Sequence, residues 1–237
     1  MDKFGKRDAT TLRLLLDLAE ERDIAASTIL SNTDLTKADI DNPYSEIEVW
    51  QEIAAIRNLI SKDDDPTLGV ISGMRQHITS YGALGIAMMS SRNLKEALSI
   101  AGKFHAISLW MCDVATVAQD DLVTFTILNH RIPTDCRHYL ATRGMAALAI
   151  WINELLDNST EPKKSTFKNS PPQDLEQFSN CFGSTMEFDT NCYSISFDRS
   201  LFGQPLKLAD RWARMRSESE LENILSRRLP TFSNKVK

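Results

Sequence analysis

Residues 111–129, MCDVATVAQDDLVTFTILN, decide the fold class of this chain because they interrupt an otherwise helical pattern. Two runs, MCDVATVA and LVTFTILN, flank the polar turn QDD. In the second run Val123, Phe125 and Ile127 alternate with smaller or polar residues, which is the pattern of a strand with one buried face. The stretch therefore predicts a β-hairpin.

The first third of the chain is predicted to be helical. Asp8 is placed to cap a segment whose leucines recur at helical spacing. Ser45 and Glu48 form an S-x-x-E capping box for a second helix. The acidic run before Pro66 is expected to end that helix, because a residue that precedes proline is pushed out of the α region.

Two more helical regions are predicted before the hairpin. The stretch GVISGM at 69–74 is interpreted as a glycine-rich turn. A helix around residues 81–89 follows, and Gly82 and Gly85 are expected to let it pack closely. Asn93 and Glu96 then form a second pair of the capping-box type, which opens the next helix.

After the hairpin, the helical period returns over residues 137–156, where Gly144 is expected to permit close packing against the sheet. The run STFKN predicts a strand, and Phe178 lies in a predicted short helix that Gly183 caps. TMEFD and CYSISFD predict a second hairpin, in which alternate residues from Tyr193 onward share one face.

Together these elements predict an α+β fold, with a helical N-terminal third, antiparallel β-hairpins packed with helices, and a basic helical C-terminal tail. The tail begins at residue 211 and is expected to break near residues 217–219 and to stop at Pro230. Its net charge is +4, which leaves −9 on residues 1–210. A basic helical tail on an acidic domain indicates attachment to something else.

Composition excludes several classes of protein. The 237 residues are 42% hydrophobic and 25% charged, as in ordinary globular proteins, and the net charge of −5 gives no general attraction to nucleic acid. The longest apolar runs fall well short of the ~20 residues that a membrane-spanning helix needs, and the N-terminus lacks the pattern of a signal peptide. We therefore expect a cytoplasmic protein that does not bind membranes.

Motifs for catalysis are missing from the sequence. Ser72 lies in G-x-x-S-G rather than G-x-S-x-G, and there is no P-loop, dinucleotide fingerprint or H-E-x-x-H motif. The four cysteines lack the spacing of a zinc site. His130 and His138 flank Cys136, but a strand end followed by a helix start that Asp135 caps explains these residues better than a Cys-His pair. We predict no catalytic residue, no metal and no cofactor.

Methionine and aromatic residues in the centre of the chain form the candidate ligand pocket. Soft apolar side chains with a few polar tips are typical of a small-molecule site. For any single residue an ordinary core position is the more common explanation, and the sequence does not separate the two. The candidate residues are Met74, His77, Tyr81, Met88, Met89, Phe104, His105 and Trp110.

Three stretches resemble a known family. DPTLGV at 65–70, YGALGIAMMSSRNLKEALSIAGKFHAI at 81–107 and FGSTMEFDTNCYSISFDRSLFGQPLKLAD at 182–210 are similar to the N-terminal effector-binding and dimerisation region of AraC/XylS-type transcription regulators. The subgroup is the one whose N-terminal half is called the arabinose-binding domain. The order and spacing of the stretches carry the resemblance.

The resemblance implies a division of the chain and a set of partners. Residues 1–210 are expected to form the effector-binding and dimerisation domain, and residues 211–237 a linker helix and the start of a truncated DNA-binding domain. The implied partners are a small-molecule effector, a second copy in a homodimer, and DNA only through a helix-turn-helix domain that this chain lacks. The apolar candidate lining argues against a free sugar and favours an amino-acid derivative, a fatty acid or an aromatic compound.

Two other functions stay open at this stage. The domain could be an interaction module that dimerises without any ligand. From a different class, the chain could be an enzyme on a small apolar substrate, with His77 or His105 as the base.

Overall fold

The computed structural model of the chain describes residues 6–108, 110–128 and 132–228. Within them, helices surround a five-stranded sheet and a separate two-stranded ribbon. The α-helices are α1 (Thr10–Glu21), α2 (Ala26–Ile29), α3 (Lys37–Asp41), α4 (Val49–Lys62), α5 (Leu68–Met74), α6 (Ala83–Met89), α7 (Leu94–Lys103), α8 (Arg137–Leu156), α9 (Glu176–Phe182) and α10 (Arg211–Arg228). Short 3-10 turns cover Ile78–Tyr81, His105–Ile107, Thr134–Cys136 and Arg199–Gly203.

The strands form two sheets of different size. β1 (Lys6–Asp8) and β2 (Glu46–Glu48) pair antiparallel as the ribbon. The larger sheet contains β3 (Asp113–Gln119), β4 (Leu122–Leu128), β5 (Lys164–Thr166), β6 (Met186–Glu187) and β7 (Tyr193–Asp198), in the spatial order β3-β4-β7-β5-β6. All its pairs are antiparallel except β5 with β6. The predicted α+β class is confirmed.

The hairpin prediction is confirmed at residues 113–128 and wrong at the second site. β3 and β4 pair in the expected register, and Val123, Phe125 and Ile127 are buried. β6 and β7 do not pair with each other, because β5 lies between them. β7 runs through the centre of the sheet, next to β4 and β5, and its residues from Tyr193 to Phe197 are all buried.

Helix α8 forms the centre of the core, with the boundaries that the sequence predicts. Each residue from Tyr139 to Ala149 is buried, as in a helix with structure packed on every side. The predicted role of Gly144 is wrong, because a Cβ at this position would meet only Ile127 Cδ1 at 4.0 Å, which is an ordinary contact.

The close approach to α8 occurs instead at α5, where the predicted glycine-rich turn is a helix. A Cβ on Gly69 would lie 2.1 Å from Thr142 Oγ1, and a Cβ on Gly73 would lie 2.3 Å from the carbonyl oxygen of Arg143. Two glycines one turn apart therefore let the backbones of α5 and α8 come together. The two glycines of GVISGM therefore serve the packing of one helix on another and do not form a turn.

Four helix starts were predicted from capping residues, with different outcomes. The prediction that Asp135 caps α8 is wrong, because the N-cap is Cys136 and no side-chain capping hydrogen bond forms there. Asn93 Oδ1 accepts from the backbone N–H of Glu96 at 2.9 Å, which confirms the start of α7. The Ser45/Glu48 box is wrong: α4 begins after Glu48, which forms its box with Gln51 because residues 46–48 pair as a strand. Asp8 is not the N-cap of α1, which is Ala9, but its Oδ1 accepts from the backbone N–H of Thr10, the first residue of the helix, at 2.7 Å.

The tail helix α10 is continuous from Arg211 to Arg228, so the predicted break near residues 217–219 is wrong. Ser217 and Leu221 are buried against the body, and this contact stabilises the helix through the expected break. Asp210 caps its start by accepting from the N–H groups of Trp212 and Ala213. Pro230 lies outside the described residues. No helix in the described part of the chain is long and apolar enough to cross a membrane.

Candidate functional site

Three charged side chains meet inside the protein. Arg7 of β1 donates from Nη1 to Glu52 Oε2 at 3.2 Å, and Arg143 of α8 donates from Nη1 to Glu52 Oε1 at 2.8 Å. Glu52 lies in the first turn of α4. The exposed fractions of the three side chains are 7%, 0% and 4%, so this ion triad is shielded from water.

Arg7 also holds the segment that leads into β3. Its Nη2 donates to the carbonyl oxygens of Ser108 and Trp110, at 2.9 and 3.1 Å. Its Nε is buried and has no hydrogen-bond partner among the residues that the structure describes. The Nε–Nη2 edge of this guanidinium therefore faces main-chain carbonyls rather than a carboxylate.

The charges in the triad do not balance. Burial opposes ionisation of Glu52, but the guanidinium groups of Arg143 and Arg7 outweigh it and hold the pKa of this carboxyl below its usual value. Burial, together with the neighbouring Arg143, lowers the pKa of Arg7, although Glu52 opposes the change. Two cations share one anion in a site of low dielectric constant. A buried charge without a counter-ion destabilises the folded protein there by roughly several kcal/mol.

Aromatic rings lie next to the triad. Trp151 of α8 makes an edge contact with Tyr81, with ring centroids 4.5 Å apart, and stacks on Trp110 at 5.3 Å with an interplanar angle of 26°. Gln76 joins two of these rings: its side chain accepts from Tyr81 Oη at 2.6 Å and its carbonyl oxygen from Trp151 Nε1 at 3.0 Å.

Tyr81 connects the rings to the charges. Burial raises the pKa of its phenol, while the nearby Arg143 and Arg7 act in the opposite direction. The rings and the triad are thus parts of one site. We call it the arginine–aromatic cluster, and it comprises Arg7, Glu52, Tyr81, Trp110, Arg143 and Trp151.

The eight residues of the predicted pocket do not come together as one group. Tyr81 and Trp110 belong to the arginine–aromatic cluster. The other six are divided between core and surface: Met88 and Phe104 are fully buried, Met74 and Met89 are partly buried against the core, His77 is mostly exposed beside Glu154, and the Nε2 of His105 hydrogen-bonds to the carbonyl of Cys112. Their role in ligand binding stays a prediction.

The residues considered for catalysis have structural partners. Ser72 is buried and accepts a hydrogen bond from Tyr139 Oη at 2.8 Å. Asp135, at the start of α8, binds Arg57. Burial raises the pKa of the Cys136 thiol to about 11, so the thiol stays protonated near neutrality. His130 lies outside the described residues, within which no group of three or more His, Cys, Asp or Glu is placed to hold a metal ion.

Helix α10 packs along α6 and is also joined to the body through charged side chains. Arg214 Nη1 lies 2.6 Å from Glu96 Oε1 of α7, and Arg228 Nη2 lies 2.6 Å from Glu46 Oε1 of β2. Lys103 of α7 reaches Glu222 at 2.9 Å. Of the 18 residues of α10, only Ser217 and Leu221 are buried. We call these ion pairs the tail contacts.

The tail contacts lead back to the arginine–aromatic cluster. Glu46, which binds Arg228, pairs with Asp8 across the β1–β2 ribbon. The next pair in the ribbon is Arg7 with Ile47. Asp8, the strand partner of Glu46, is therefore the residue next to Arg7 on β1. This places the cluster one residue away from the contact that holds the end of α10.

A surface hollow of about 380 Å³ lies at the end of β4 and β7. Its cations are Arg137 and Lys168, and its apolar wall includes Leu128. The rest of the lining is Thr126, Ile127, Asn191, Cys192 and Tyr193. We call it the sheet-end hollow, and it is a second place where an anion could be attracted.

Known proteins match this chain over most of its length. Residues 24–206 match the family model described as the arabinose-binding domain of AraC transcription regulators, N-terminal. HTH-type transcriptional regulators of Mycobacterium tuberculosis and Mycobacterium bovis are 25% identical over 208 residues, which are 84% of this chain and 59% of each relative. The ornithine utilization regulator of Pseudomonas aeruginosa is 22% identical over 213 residues, or 90% of this chain and 62% of that protein.

The fold is also found in a solved structure. The crystal structure of the transcriptional regulator CdpR from Pseudomonas aeruginosa matches with a TM-score of 0.67 and 16% identity, over 92% of this chain and 65% of that one. The chain spans about three fifths of the length of the curated relatives that it matches.

Proposed function

Because the chain belongs to the family of AraC transcription regulators, through their N-terminal arabinose-binding domain, we propose that it senses a small-molecule effector and relays its presence to a DNA-binding domain. In this proposal residues 1–210 form the sensing and dimerisation domain. Residues 211–237 form the linker helix and the start of the DNA-binding domain. The relatives named as HTH-type regulators support the same division, and contact with DNA is assigned to that further domain.

The observation that carries the proposal is the position of the arginine–aromatic cluster. It joins β1, α4, α8 and the segment before β3, and it combines charged donors with flat apolar surfaces, as small-molecule sites do. It also lies next to the ribbon that binds the end of α10. A ligand that moves Arg7 therefore acts on β1, which pairs with the strand β2 that carries the tail contact at Glu46.

The energies involved allow such a relay. A surface ion pair contributes about 0–1 kcal/mol, so each tail contact can break at low cost while the packing of α10 on α6 remains. An effector shifts the equilibrium between attached and released α10 only by its difference in affinity for the two states. A difference of about 1–3 kcal/mol, usual for coupled sites, is comparable with the loss of one or two tail contacts.

A metabolite screen with two readouts tests this function. We expect at least one compound to raise the melting temperature of the chain and to change the rate at which trypsin cleaves at the arginines of α10. A Trp110→Ala variant should lose both effects, whereas Val117→Ala, which shortens an exposed apolar side chain on β3, should keep them. A screen without any stabilising compound, or a stabiliser that leaves cleavage of α10 unchanged, would contradict the proposal.

A second candidate function is dimerisation without a ligand. It is favoured by apolar side chains that are exposed near the start of α10: Leu208 is 62%, Trp212 65% and Met215 46% exposed. Sedimentation velocity of the chain and of Trp212→Ser distinguishes the two functions. A dimer that Trp212→Ser dissociates, and that no compound in the screen affects, would favour the interaction module.

A further inference from the structure

We propose that the arginine–aromatic cluster binds the carboxylate of an effector whose remaining body is flat and apolar. This inference rests on the proposed sensing function and specifies the chemistry of its ligand. The carboxylate would bind the Nε–Nη2 edge of Arg7, and the flat body would lie against Trp151.

The charge of the ion triad favours an anion with a single negative charge. Arg7 and Arg143 together contribute two positive charges, and Glu52 supplies one negative charge. A carboxylate with one negative charge neutralises the remaining positive charge. A dianionic phosphate would leave the site with a net negative charge, and a neutral sugar would leave the positive charge in place. The carboxylate oxygens of Glu52 already accept from both arginines, so Glu52 is poorly placed to bind an ammonium group as well.

The geometry of Arg7 fits a carboxylate. Its Nη1 is used by Glu52, which leaves Nε and Nη2, the two donors on one edge of the guanidinium plane. That edge binds both oxygens of a carboxylate side by side. At present Nη2 is shared between the carbonyls of Ser108 and Trp110, and Nε has no partner among the described residues. The two carbonyls are neutral acceptors, whereas a carboxylate brings a full negative charge to the guanidinium and pairs with both Nε and Nη2, so it competes with them for this edge.

One movement exposes both parts of the site. Trp110 contributes its carbonyl to Arg7 and its ring to the stack on Trp151, and it is partly buried against the core. When the carbonyls of Ser108 and Trp110 and the ring of Trp110 are displaced, the edge of Arg7 and the face of Trp151 become free together. A ligand with a carboxylate joined to a flat ring replaces both contacts at once, while a small anion such as acetate replaces only one.

Binding of three matched probes tests the assignment. Benzoate carries the carboxylate, benzamide is its neutral isostere, and benzylammonium has the opposite charge. We expect isothermal titration to show saturable binding of benzoate, with benzamide and benzylammonium at least about tenfold weaker, which corresponds to about 1.4 kcal/mol. Benzoate should also change the fluorescence of the Trp110–Trp151 stack.

Variants locate the binding site. Arg7→Gln is expected to weaken benzoate binding about tenfold or more, because charge-assisted hydrogen bonds are lost. Arg57→Gln, which removes the same group from an exposed ion pair, should bind benzoate normally. Lys168→Gln tests the sheet-end hollow and should also bind benzoate normally. If Arg7→Gln does not fold, Arg7→Lys keeps the positive charge without the paired edge and should still weaken binding.

The outcomes separate this inference from the proposed function. The carboxylate assignment is overturned if benzamide binds as well as benzoate, if Lys168→Gln loses benzoate while Arg7→Gln keeps it, or if the parent chain binds no benzoate. A neutral or cationic compound that stabilises the chain and alters cleavage of α10 would overturn the assignment and leave the sensing function standing. No response to any compound contradicts both.

Discussion

Replacing Gly73 by alanine is expected to destabilise the protein, although alanine favours helices. The added Cβ would lie 2.3 Å from the carbonyl oxygen of Arg143 and 2.6 Å from the Cβ of Ala146, so α5 must move away from α8. Overpacking of this kind costs about 1–3 kcal/mol. Replacing a glycine by alanine inside a helix otherwise stabilises the folded state by about 0.5–1 kcal/mol. A contact below 3 Å with the backbone corresponds to the upper half of the overpacking range, so the net loss in free energy of unfolding is about 1–2.5 kcal/mol, or roughly 2–10 °C in melting temperature.

Gly102 provides the matched control for this prediction. It also lies in a helix, α7, but a Cβ there would have nothing within 4 Å, so Gly102→Ala should be neutral or stabilising by up to about 0.5–1 kcal/mol. Urea and thermal unfolding of both variants give the comparison. Because Gln76 follows α5 and accepts from Trp151, Gly73→Ala should also alter tryptophan fluorescence. A Gly73→Ala chain at least as stable as the parent would refute the claim that glycine is required between α5 and α8.

Three further outcomes follow from the charged groups. Glu52→Gln leaves the buried guanidinium groups without an anion and should lower the free energy of unfolding by about 3–5 kcal/mol in urea titrations; a loss below about 1 kcal/mol would show that the triad is not shielded from water. Because the pKa of Glu52 is held below its unfolded value, its stabilisation is present above that value, about 4.3, and is lost as the pH falls through the folded pKa. The parent chain should thus lose more stability than Glu52→Gln between about pH 5 and about pH 2, and equal losses would refute this. Arg214→Gln should raise the rate of tryptic cleavage within α10 at the remaining arginines, with little change in melting temperature, while Lys37→Gln, at a distant exposed pair, should leave cleavage unchanged.

The elements that the sequence predicts correctly have local signals. The β3–β4 hairpin has its alternation and its turn within 16 residues, from Asp113 to Leu128, and the start of α7 depends on Asn93 and Glu96 alone. The pairing of β7 with β4 and β5 depends on which strands meet in three dimensions, which alternation within one strand does not specify. The continuity of α10 likewise depends on the body that buries Leu221.

The candidate site was missed because its charged residues are distant in sequence. Glu52 is 45 residues from Arg7 and 91 from Arg143, so no motif of short spacing contains them. A weaker signal was available in two of the helices. Glu52 lies three residues after Val49 and four before Ile56, on the face that the helical period assigns to the core. Arg143 has the same relation to Leu140 and Ala147. Opposite charges at core positions of two predicted helices indicate a buried ion pair.

The proposed relay carries a requirement in the reverse direction. If binding at the arginine–aromatic cluster changes the attachment of α10, then any event that pulls α10 from the body changes the affinity for the effector by the same factor, because coupling between two sites is reciprocal. The Arg228–Glu46 contact should show this reciprocal effect most clearly, because Glu46 is next to Ile47, the strand partner of Arg7. Engagement of α10 by a DNA-binding domain that recruits Arg228 would then alter effector affinity without touching the cluster. A sensing domain whose effector affinity is the same with α10 attached and with α10 released has no means of signalling through it.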